Sequence, residues 1–354
     1  MKRTRQQRRK LLWSGSGFFL RLLAASLLLP WLASCGGGGG DLVAGGGIGG
    51  TGGTGVTSVG PITALGSIFV NGVKYDTNGA AVLIEGVSAH PDVLQVGMVV
   101  RVEGMVNPDG QNGLAEVVSF DPDMRGQITG LDAANGMLTL LGQDVLVDEA
   151  TVIVDLPFGR AGGMAGLAVG DFMEVSGLAD AGPTFRATRI AWRPAAAETK
   201  IRGSVNPAGG GGAVLFINTL RVDYAGAELQ GFGPAGPAGG DYVEVSGAFD
   251  RATGVLTASR LRRMESGLME ASAVEIQGMI FQVNGLRFTL VTPLGRLEAE
   301  YHDHTAFVDL LPADLAAGVR VEVKGRIVDN ILVADRLAKD RGMMDGGPNG
   351  MNRP

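Results

Sequence analysis

The segment G-M-V-V-R-V-E-G at residues 97–104 occurs four times in this chain in closely related form. The other copies read G-D-F-M-E-V-S-G at 170–177, G-D-Y-V-E-V-S-G at 240–247 and G-V-R-V-E-V-K-G at 318–325. Two glycines bracket each copy at a constant separation, and successive copies start 73, 70 and 78 residues apart. Such a period predicts tandem copies of one small structural unit.

Inside each copy, apolar and polar side chains alternate. The apolar positions are Val100 and Val102, Met173 and Val175, Val243 and Val245, and Val321 and Val323. Period two is typical of a β-strand with one face in a core, so we expect the intervening polar side chains on a solvated outer face. Glu174, Glu244 and Glu322 recur at one outer position, and we interpret them as surface residues rather than acid–base groups. The closing glycine predicts a β-bulge or a turn.

The residues around the motif complete a repeating unit of about five strands. A short strand ending near a glycine opens the unit, and a hairpin, a variable segment, the motif strand and a strand with the pattern A-x-x-[VIL] follow. Asn-Gly pairs at 71–72 and 284–285 predict type I′ turns at equivalent hairpins of the first and fourth units, because this dipeptide tolerates positive φ at both central positions. Leu-Gly at 141–142 and Asn-Thr at 218–219 occupy the matching places.

This order of elements predicts an all-β protein with four tandem small OB-like β-barrel domains. A flat, half-open sheet that pairs with its neighbour is the alternative, and the sequence leaves open whether the repeats stack rigidly or move as beads. The predicted boundaries are a signal peptide at 1–34, a lipidated cysteine and glycine-rich linker at 35–58, barrels at 59–122, 123–195, 198–265 and 272–340, and a disordered tail at 341–354.

The N-terminus has the features of a secretory leader. A basic segment at residues 1–10 precedes an apolar run at 22–32 that is too short to span a bilayer. The run ends in Leu32-Ala33-Ser34-Cys35, which resembles the bacterial lipobox. The resemblance implies cleavage before Cys35 and its lipidation, and the lack of aspartate at position 36 implies, by the same analogy, an outer-membrane lipoprotein facing the periplasm or the cell surface. The 13 glycines at 36–55 predict a flexible tether.

The charge of the chain depends on whether the leader is counted. The full sequence has 30 Lys+Arg and 36 Asp+Glu, a net charge of -6. Residues 1–34 contain seven of the basic residues and no acid, so the remainder carries 23 basic and 36 acidic residues, a net charge of -13. Because nucleic-acid phosphates attract cationic proteins, we expect no nucleic-acid partner. One cysteine precludes an intrachain disulfide.

Together, the lipobox, the glycine tract and the G-D-x-V-E-V-x-G motif followed by A-x-x-[IL] resemble proteobacterial lipoproteins built from domain-of-unknown-function family 5666. The resemblance covers about residues 60–339 in four copies. The G-D dipeptide is intact in copies two and three, whereas Met98 and Val319 follow the first glycine in copies one and four. The resemblance implies a fold and a location, but no chemistry.

Two small sets of side chains are candidates for sites. On one strand face, His302 and His304 would lie about 6–7 Å apart, close enough to share a zinc ion. The alignment of D-E-A-T-V-I-V-D-L at 148–156 with H-D-H-T-A-F-V-D-L at 302–310 favours an ordinary polar strand end instead. Phe172 and Tyr242 are on the outer face of their motif strands and are candidate ligand-binding residues, with core or inter-repeat packing as the alternative.

These observations favour a membrane-anchored periplasmic or surface lipoprotein that acts as a non-enzymatic envelope scaffold or protein-interaction module. The alternative is a module that binds a glycan or a small envelope molecule through its barrel faces. We expect no enzymatic activity, no catalytic residue and no cofactor. The expected partners are the membrane, through the lipid anchor, and an envelope protein or glycan.

Replacing Cys35 by alanine tests the lipidation. We expect labelled fatty acid to be incorporated into the wild-type chain and lost from Cys35→Ala, because the sulfur is the acceptor. Metabolic labelling followed by gel autoradiography measures this. Equal labelling of the two chains would contradict the lipoprotein interpretation.

Overall fold

The computed structural model of this protein describes residues 54–180, 184–194, 198–206, 212–269 and 273–340. All belong to one of two compact units, residues 49–354. The other unit, the lipidation candidate Cys35 and the tail at 341–354 lie outside the described residues. Short 3₁₀ turns occur at Pro91–Val93, Gly163–Gly166 and Pro312–Asp314. In the described ranges, no helix is long and apolar enough to cross a bilayer.

The strands fall into four consecutive sets, one for each sequence repeat. Repeat 1 contains β1 (Thr54–Ala64), β2 (Ile68–Val70), β3 (Val73–Asp76), β4 (Ala81–Ile84), β5 (Val87–Ala89), β6 (Val99–Val106) and β7 (Asn112–Phe120). Repeat 2 contains β8 (Met124–Asp132), β9 (Met137–Leu140), β10 (Gln143–Leu146), β11 (Val152–Val154), β12 (Phe172–Ala179) and β13 (Phe185–Trp192). Repeat 3 contains β14 (Thr199–Ser204), β15 (Val214–Ile217), β16 (Leu220–Asp223), β17 (Glu228–Gln230), β18 (Tyr242–Asp250) and β19 (Val255–Arg263). Repeat 4 contains β20 (Ala273–Asn284), β21 (Arg287–Thr292), β22 (Gly295–Val308), β23 (Arg320–Val328) and β24 (Ile331–Lys339).

Each set forms a small OB-like barrel, as the sequence predicts. In repeat 4, β20 pairs with β21 and β23, β21 pairs with β22, and β24 pairs with β22 and β23. The five strands therefore close on themselves, and the parallel β22–β24 pair between antiparallel neighbours is the OB arrangement. Repeats 1 and 2 close in the same order with a divided third strand. In repeat 3, β14 and β15 are joined by one bridge, Val205–Ile217.

The motif strands β6, β12, β18 and β23 contribute their predicted apolar face to the cores. All eight of their inward side chains, from Val100 to Val323, are at most 1% exposed. A glycine with positive φ, between 84° and 98°, precedes each strand by two residues. The N–H of this glycine donates to the opening strand of its own repeat, for example from Gly170 to the Ile128 carbonyl at 2.8 Å. The first glycine of the motif thus turns the chain into the barrel.

The second glycine of each motif lies at a β-bulge, which confirms the prediction. The register with the last strand shifts at Gly104, Gly177, Gly247 and Gly325. A Cβ at any of these positions would lie 2.0 or 2.1 Å from a carbonyl oxygen of the partner strand. The residue that each glycine faces is the alanine of the A-x-x-[VIL] pattern: Ala115, Ala187, Ala258 or Ala334. The two sequence patterns therefore recur together because they form one close contact.

The hairpin correspondence between repeats 1 and 4 is corrected by the structure. Asn71 and Gly72 turn β2 into β3 with φ of 50° and 79°, as a type I′ turn requires. In repeat 4, Gly285 lies between β20 and β21, which are the first two strands of the barrel. The matching hairpin of repeat 4 connects β21 to β22. An Asn-Gly pair indicates a tight hairpin, but not which hairpin of the unit it closes.

Strand pairing joins the four repeats in two pairs. Strands β1 and β20 run parallel and pair at Val56–Val59 with residues 273–276, which connects repeat 1 to repeat 4. Strands β8 and β14 pair antiparallel and connect repeat 2 to repeat 3. One continuous apolar cluster fills repeats 2 and 3, and Val59 of repeat 1 belongs to the cluster of repeat 4. Sharing cores in this way adds buried apolar surface that a single small barrel lacks.

Replacing Gly247 by alanine tests the bulge. We expect the free energy of unfolding to fall by about 2–3 kcal/mol, because the new Cβ would meet the Thr257 carbonyl oxygen at 2.1 Å. Gly226→Ala is the matched control in the same repeat, since a Cβ there has no neighbour within 4 Å, and we expect a change within about 0.5 kcal/mol. Urea unfolding of both variants measures the difference. Equal stability of the two would contradict this account of the closing glycine.

Candidate functional site

The outer face of the motif strands is not solvated in repeats 2 and 3, so that sequence prediction was wrong. Glu174 and Glu244 are only 8% and 5% exposed. The β8–β14 pairing joins the two repeats into one four-stranded surface in the order β12-β8-β14-β18. Alternation along a strand reports which way a side chain points, but not what covers it. Here repeat 1 covers the part of the surface around Arg125 and Lys200.

A row of charged side chains crosses this four-stranded surface. Glu174 lies opposite Arg125, and Arg125 lies opposite Lys200 on the far side of the junction between repeats 2 and 3. Arg125 binds Glu174 at 2.8 Å. Two cations nevertheless face each other across the junction, and directly opposed like charges destabilise a sheet. Glu244 lies 3.4 Å from Lys200, and a further anion between the two cations lowers their repulsion.

Glu85 of repeat 1 supplies that anion. Its Oε2 lies 2.6 Å from the Arg125 guanidinium, and its Oε1 lies 2.8 Å from the Lys200 ammonium. Burial disfavours its charged form, but hydrogen bonds and charges from these two cations hold the pKa of Glu85 below its usual value. One carboxylate thus connects three repeats. Neither Glu85 nor Arg125 was found from the sequence, because neither belongs to the recurring motif.

Glu244 of repeat 3 holds a second group of cations next to this point. Its carboxylate lies 2.7 Å from Arg202, 2.9 Å from Arg262 and 3.4 Å from Lys200. Burial opposes its ionisation, but the field of Arg202 and Lys200 outweighs burial and lowers the pKa of Glu244 to about 2. Asp121, between β7 and β8, adds an ion pair to Arg202 at 3.2 Å. The motif glutamates of repeats 2 and 3 are therefore structural anions.

A cavity of about 180 Å³ lies where repeats 2, 3 and 4 meet, and Tyr242 lines it. The ring of Tyr242 packs against Gly295 of repeat 4, where a Cβ would lie 2.9 Å from it. Its hydroxyl makes no hydrogen bond within the part of the chain that the structure describes. Burial and the nearby charge of Asp123 raise the pKa of Tyr242, so the hydroxyl keeps its proton.

Asp123 lies in the wall of the same cavity. It is 5% exposed, and its Oδ2 accepts a hydrogen bond from the N–H of Gly177 at 3.1 Å. Burial raises the pKa of Asp123 to about 6, although the charge of Arg202 opposes the rise. This carboxyl therefore changes its protonation state near neutral pH.

Phe172, the other predicted ligand-binding residue, does not reach this cavity. It is 5% exposed, and its strand β12 contacts β20 and β21 of repeat 4. The outward parity of Phe172 was read correctly, but repeat 4 covers that side of the strand. The burial of Phe172 therefore favours the packing alternative over ligand binding.

His302 and His304 lie near each other, with ring centroids 6.0 Å apart. The Nδ1 of His302 accepts a hydrogen bond from the His304 N–H at 3.1 Å, as Asp148 Oδ1 does from the Ala150 N–H in repeat 2. The next residue, Thr305, donates to the last strand of its barrel. This equivalence favours an ordinary polar position over a metal site, but both histidines lie inside β22, at an irregularity in its pairing with β24, and not at the predicted strand end. Among the described residues, no group of three His, Cys, Asp or Glu side chains is placed to hold a metal.

Replacing Glu85 by glutamine tests the junction. We expect the free energy of unfolding to fall by about 1–3 kcal/mol, because a neutral amide leaves Arg125 and Lys200 facing each other; a third of the Glu85 side chain is exposed, which limits the cost. The deficit should shrink as NaCl is added, since salt screens the repulsion. Glu116→Gln, an exposed position on β7, is the control, with an expected change within about 0.5 kcal/mol. Chemical unfolding at two salt concentrations measures the stability of both variants. If both were as stable as the wild type, the account would be contradicted.

Asp123→Asn tests the buried carboxyl. Because burial raises its pKa from about 3.9 to about 6, the stability that Asp123 contributes is complete below pH 3.9 and is lost as pH rises through 6. The free energy of unfolding of the wild type minus that of the variant should therefore fall by about 2 kcal/mol between pH 4.5 and 7. The exposed Asp144→Asn should show no such trend. A pH-independent difference for Asp123→Asn would refute the assignment.

Comparisons with solved structures give low structural similarity. The Drosophila Unr fragment CSD456 matches at 14% identity and a TM-score of 0.16, over 61% of this chain and 96% of that chain. A multidomain protein with nucleic acid binding domains from Streptococcus pneumoniae tigr4 matches at 13% identity and a TM-score of 0.14, over 61% of this chain and 72% of that one. Among curated proteins, none matches the chain.

The prediction about binding partners is corrected. It named the membrane and an envelope protein or glycan and excluded nucleic acid, whereas a structural match is to a protein described by its nucleic acid binding domains. A net charge of -13 describes the sum over the chain and not any one face of a barrel, so it does not support the exclusion. The superposition is too poor to transfer that binding to this chain.

The family comparison agrees with the repeats seen in the structure. Matches to Domain of unknown function (DUF5666) cover residues 56–118, 125–191, 218–262 and 277–338. Each match falls on one of the four barrels and contains its motif strand and most of its last strand. The chain therefore belongs to the DUF5666 family, with four tandem copies of the domain.

Proposed function

We propose that this chain is a lipid-anchored protein of the cell envelope, facing the periplasm or the cell surface, that acts as a non-enzymatic scaffold or protein-interaction module. The lipobox-like segment ending at Cys35 supports the anchor, and the glycine-rich segment after it supports a tether. The tether would carry the four barrels away from the membrane as one body.

The observation that carries the scaffold proposal is that the charged residues form ion pairs within and between repeats. Ion pairs hold strands and repeats together. They engage the motif glutamates of repeats 2 and 3 and the cations around these glutamates. Glu85 extends these pairs to repeat 1. The recurring charged residues of repeats 2 and 3 thus join strands and repeats instead of forming separate reactive sites.

A small-molecule-binding function is the second candidate. The cavity between repeats 2, 3 and 4 supports it, because Tyr242 presents a hydrogen-bonding group there that has no partner among the described residues. Phe172 occupies the equivalent motif position in repeat 2 and carries no such group.

Crosslinking in the native host tests the scaffold function. We expect the wild-type chain to occur in a reproducible envelope complex that disappears on gene deletion and in Cys35→Ala, because the anchor fixes the chain at the membrane. Tyr242→Phe should keep the complex, since the scaffold does not need the cavity. Mass spectrometry of crosslinked envelopes measures each strain. A complement of envelope complexes unchanged by gene deletion would contradict the proposal.

A further inference from the structure

The cavity between repeats 2, 3 and 4 combines apolar walls with polar groups at defined places. Met124 of repeat 2, Ile217 of repeat 3 and Met279 of repeat 4 contribute apolar wall, and the first two are buried members of the core that repeats 2 and 3 share. A volume of about 180 Å³ suits one ring, since apolar cavities of about 150 Å³ hold benzene. The cavity exists only where the three repeats are assembled, because each repeat contributes part of its wall.

The polar groups of this cavity include three hydrogen-bond donors without partners among the described residues. Tyr242, Ser204 and Arg296, which carry two hydroxyls and a guanidinium, all line the cavity. None of the three is engaged in a hydrogen bond or an ion pair with another described side chain or backbone group. A ligand that satisfies them must therefore supply acceptor oxygens.

Arg296 is the cation available to a ligand. Its guanidinium lies 4.2 Å from the centre of the Phe281 ring, which holds the side chain in place by a cation–π contact. Arg202, which also lines the cavity, is already neutralised by Glu244 and Asp121 at 2.7 and 3.2 Å. The fork of an arginine matches the two oxygens of a carboxylate.

We propose that this cavity binds a small organic acid of about one ring in size, with its carboxylate on Arg296 and its apolar body between Met124, Ile217 and Met279. The hydroxyls of Tyr242 and Ser204 provide further donors for the acid oxygens. This inference rests on the second proposed function, small-molecule binding, and names its ligand class. It is independent of the scaffold function.

Equilibrium dialysis of the full-length protein in detergent tests the inference, with detergent alone as the blank. The probes are benzoate, benzyl alcohol and benzylamine, which share a ring and differ in charge. We expect benzoate to bind saturably at one molecule per chain, and benzyl alcohol and benzylamine to bind at least 10-fold more weakly. Binding of benzylamine as tightly as benzoate would overturn acid recognition.

Arg296→Gln separates the anion site from the cavity. We expect benzoate binding to weaken at least 10-fold while benzyl alcohol binding is unchanged, because Arg296 is exposed and its loss leaves the walls intact. Arg326→Gln, an exposed arginine of the same repeat that does not line the cavity, should change neither. Benzyl alcohol binding without benzoate binding would overturn the ligand class and keep small-molecule binding. No binding of any probe would overturn both.

Discussion

Two cations, Arg125 and Lys200, face each other where the sheets of repeats 2 and 3 join, and this constraint organises the molecule. Opposed cations at a covered junction are unfavourable unless anions contact both. Glu174 contacts Arg125, Glu244 contacts Lys200, and a third element adds an anion between them. Glu85 of repeat 1 does so with one oxygen for each cation. Repeat 1 is then bound to repeat 4 by the parallel pairing of β1 and β20. Through these contacts, four small barrels become one body.

Glycines and charges have separate tasks in this fold. The paired glycines of the motif shape each barrel, the first by a positive φ and the second by the bulge opposite the alanine of the last strand. Charged side chains such as Glu244 then join barrel surfaces. Imperfect closure between the barrels leaves the cavity beside Tyr242. The proposed functions depend on these contacts between barrels, because the scaffold and the cavity both exist only in the assembly.

Local features of the barrels were predictable from the sequence, whereas contacts between barrels were not. Periodicity and glycine spacing report backbone direction and close approach, and they identified the motif strands, the bulges and the OB-like order correctly. They carry no information on what covers a strand, so Glu174 and Phe172 were placed on an open face and are buried. Glu85 was missed because its role depends on the register of two strands in other repeats. The residues at 284–285 were matched to the wrong hairpin for a related reason. An Asn-Gly pair indicates a tight turn, but not which two strands the turn connects.

The central claim is that the four repeats unfold as one unit. Trp192 in repeat 2 reports this most directly, in a full-length chain whose Trp13 and Trp31 are replaced by phenylalanine. Leu337→Ala removes a fully buried side chain from the core of repeat 4, at a cost of about 2–5 kcal/mol. The account predicts that this distant change moves the urea midpoint of Trp192 fluorescence to lower concentration, together with the circular dichroism signal. A Trp192 transition that stays at the wild-type midpoint would show independent barrels and contradict it.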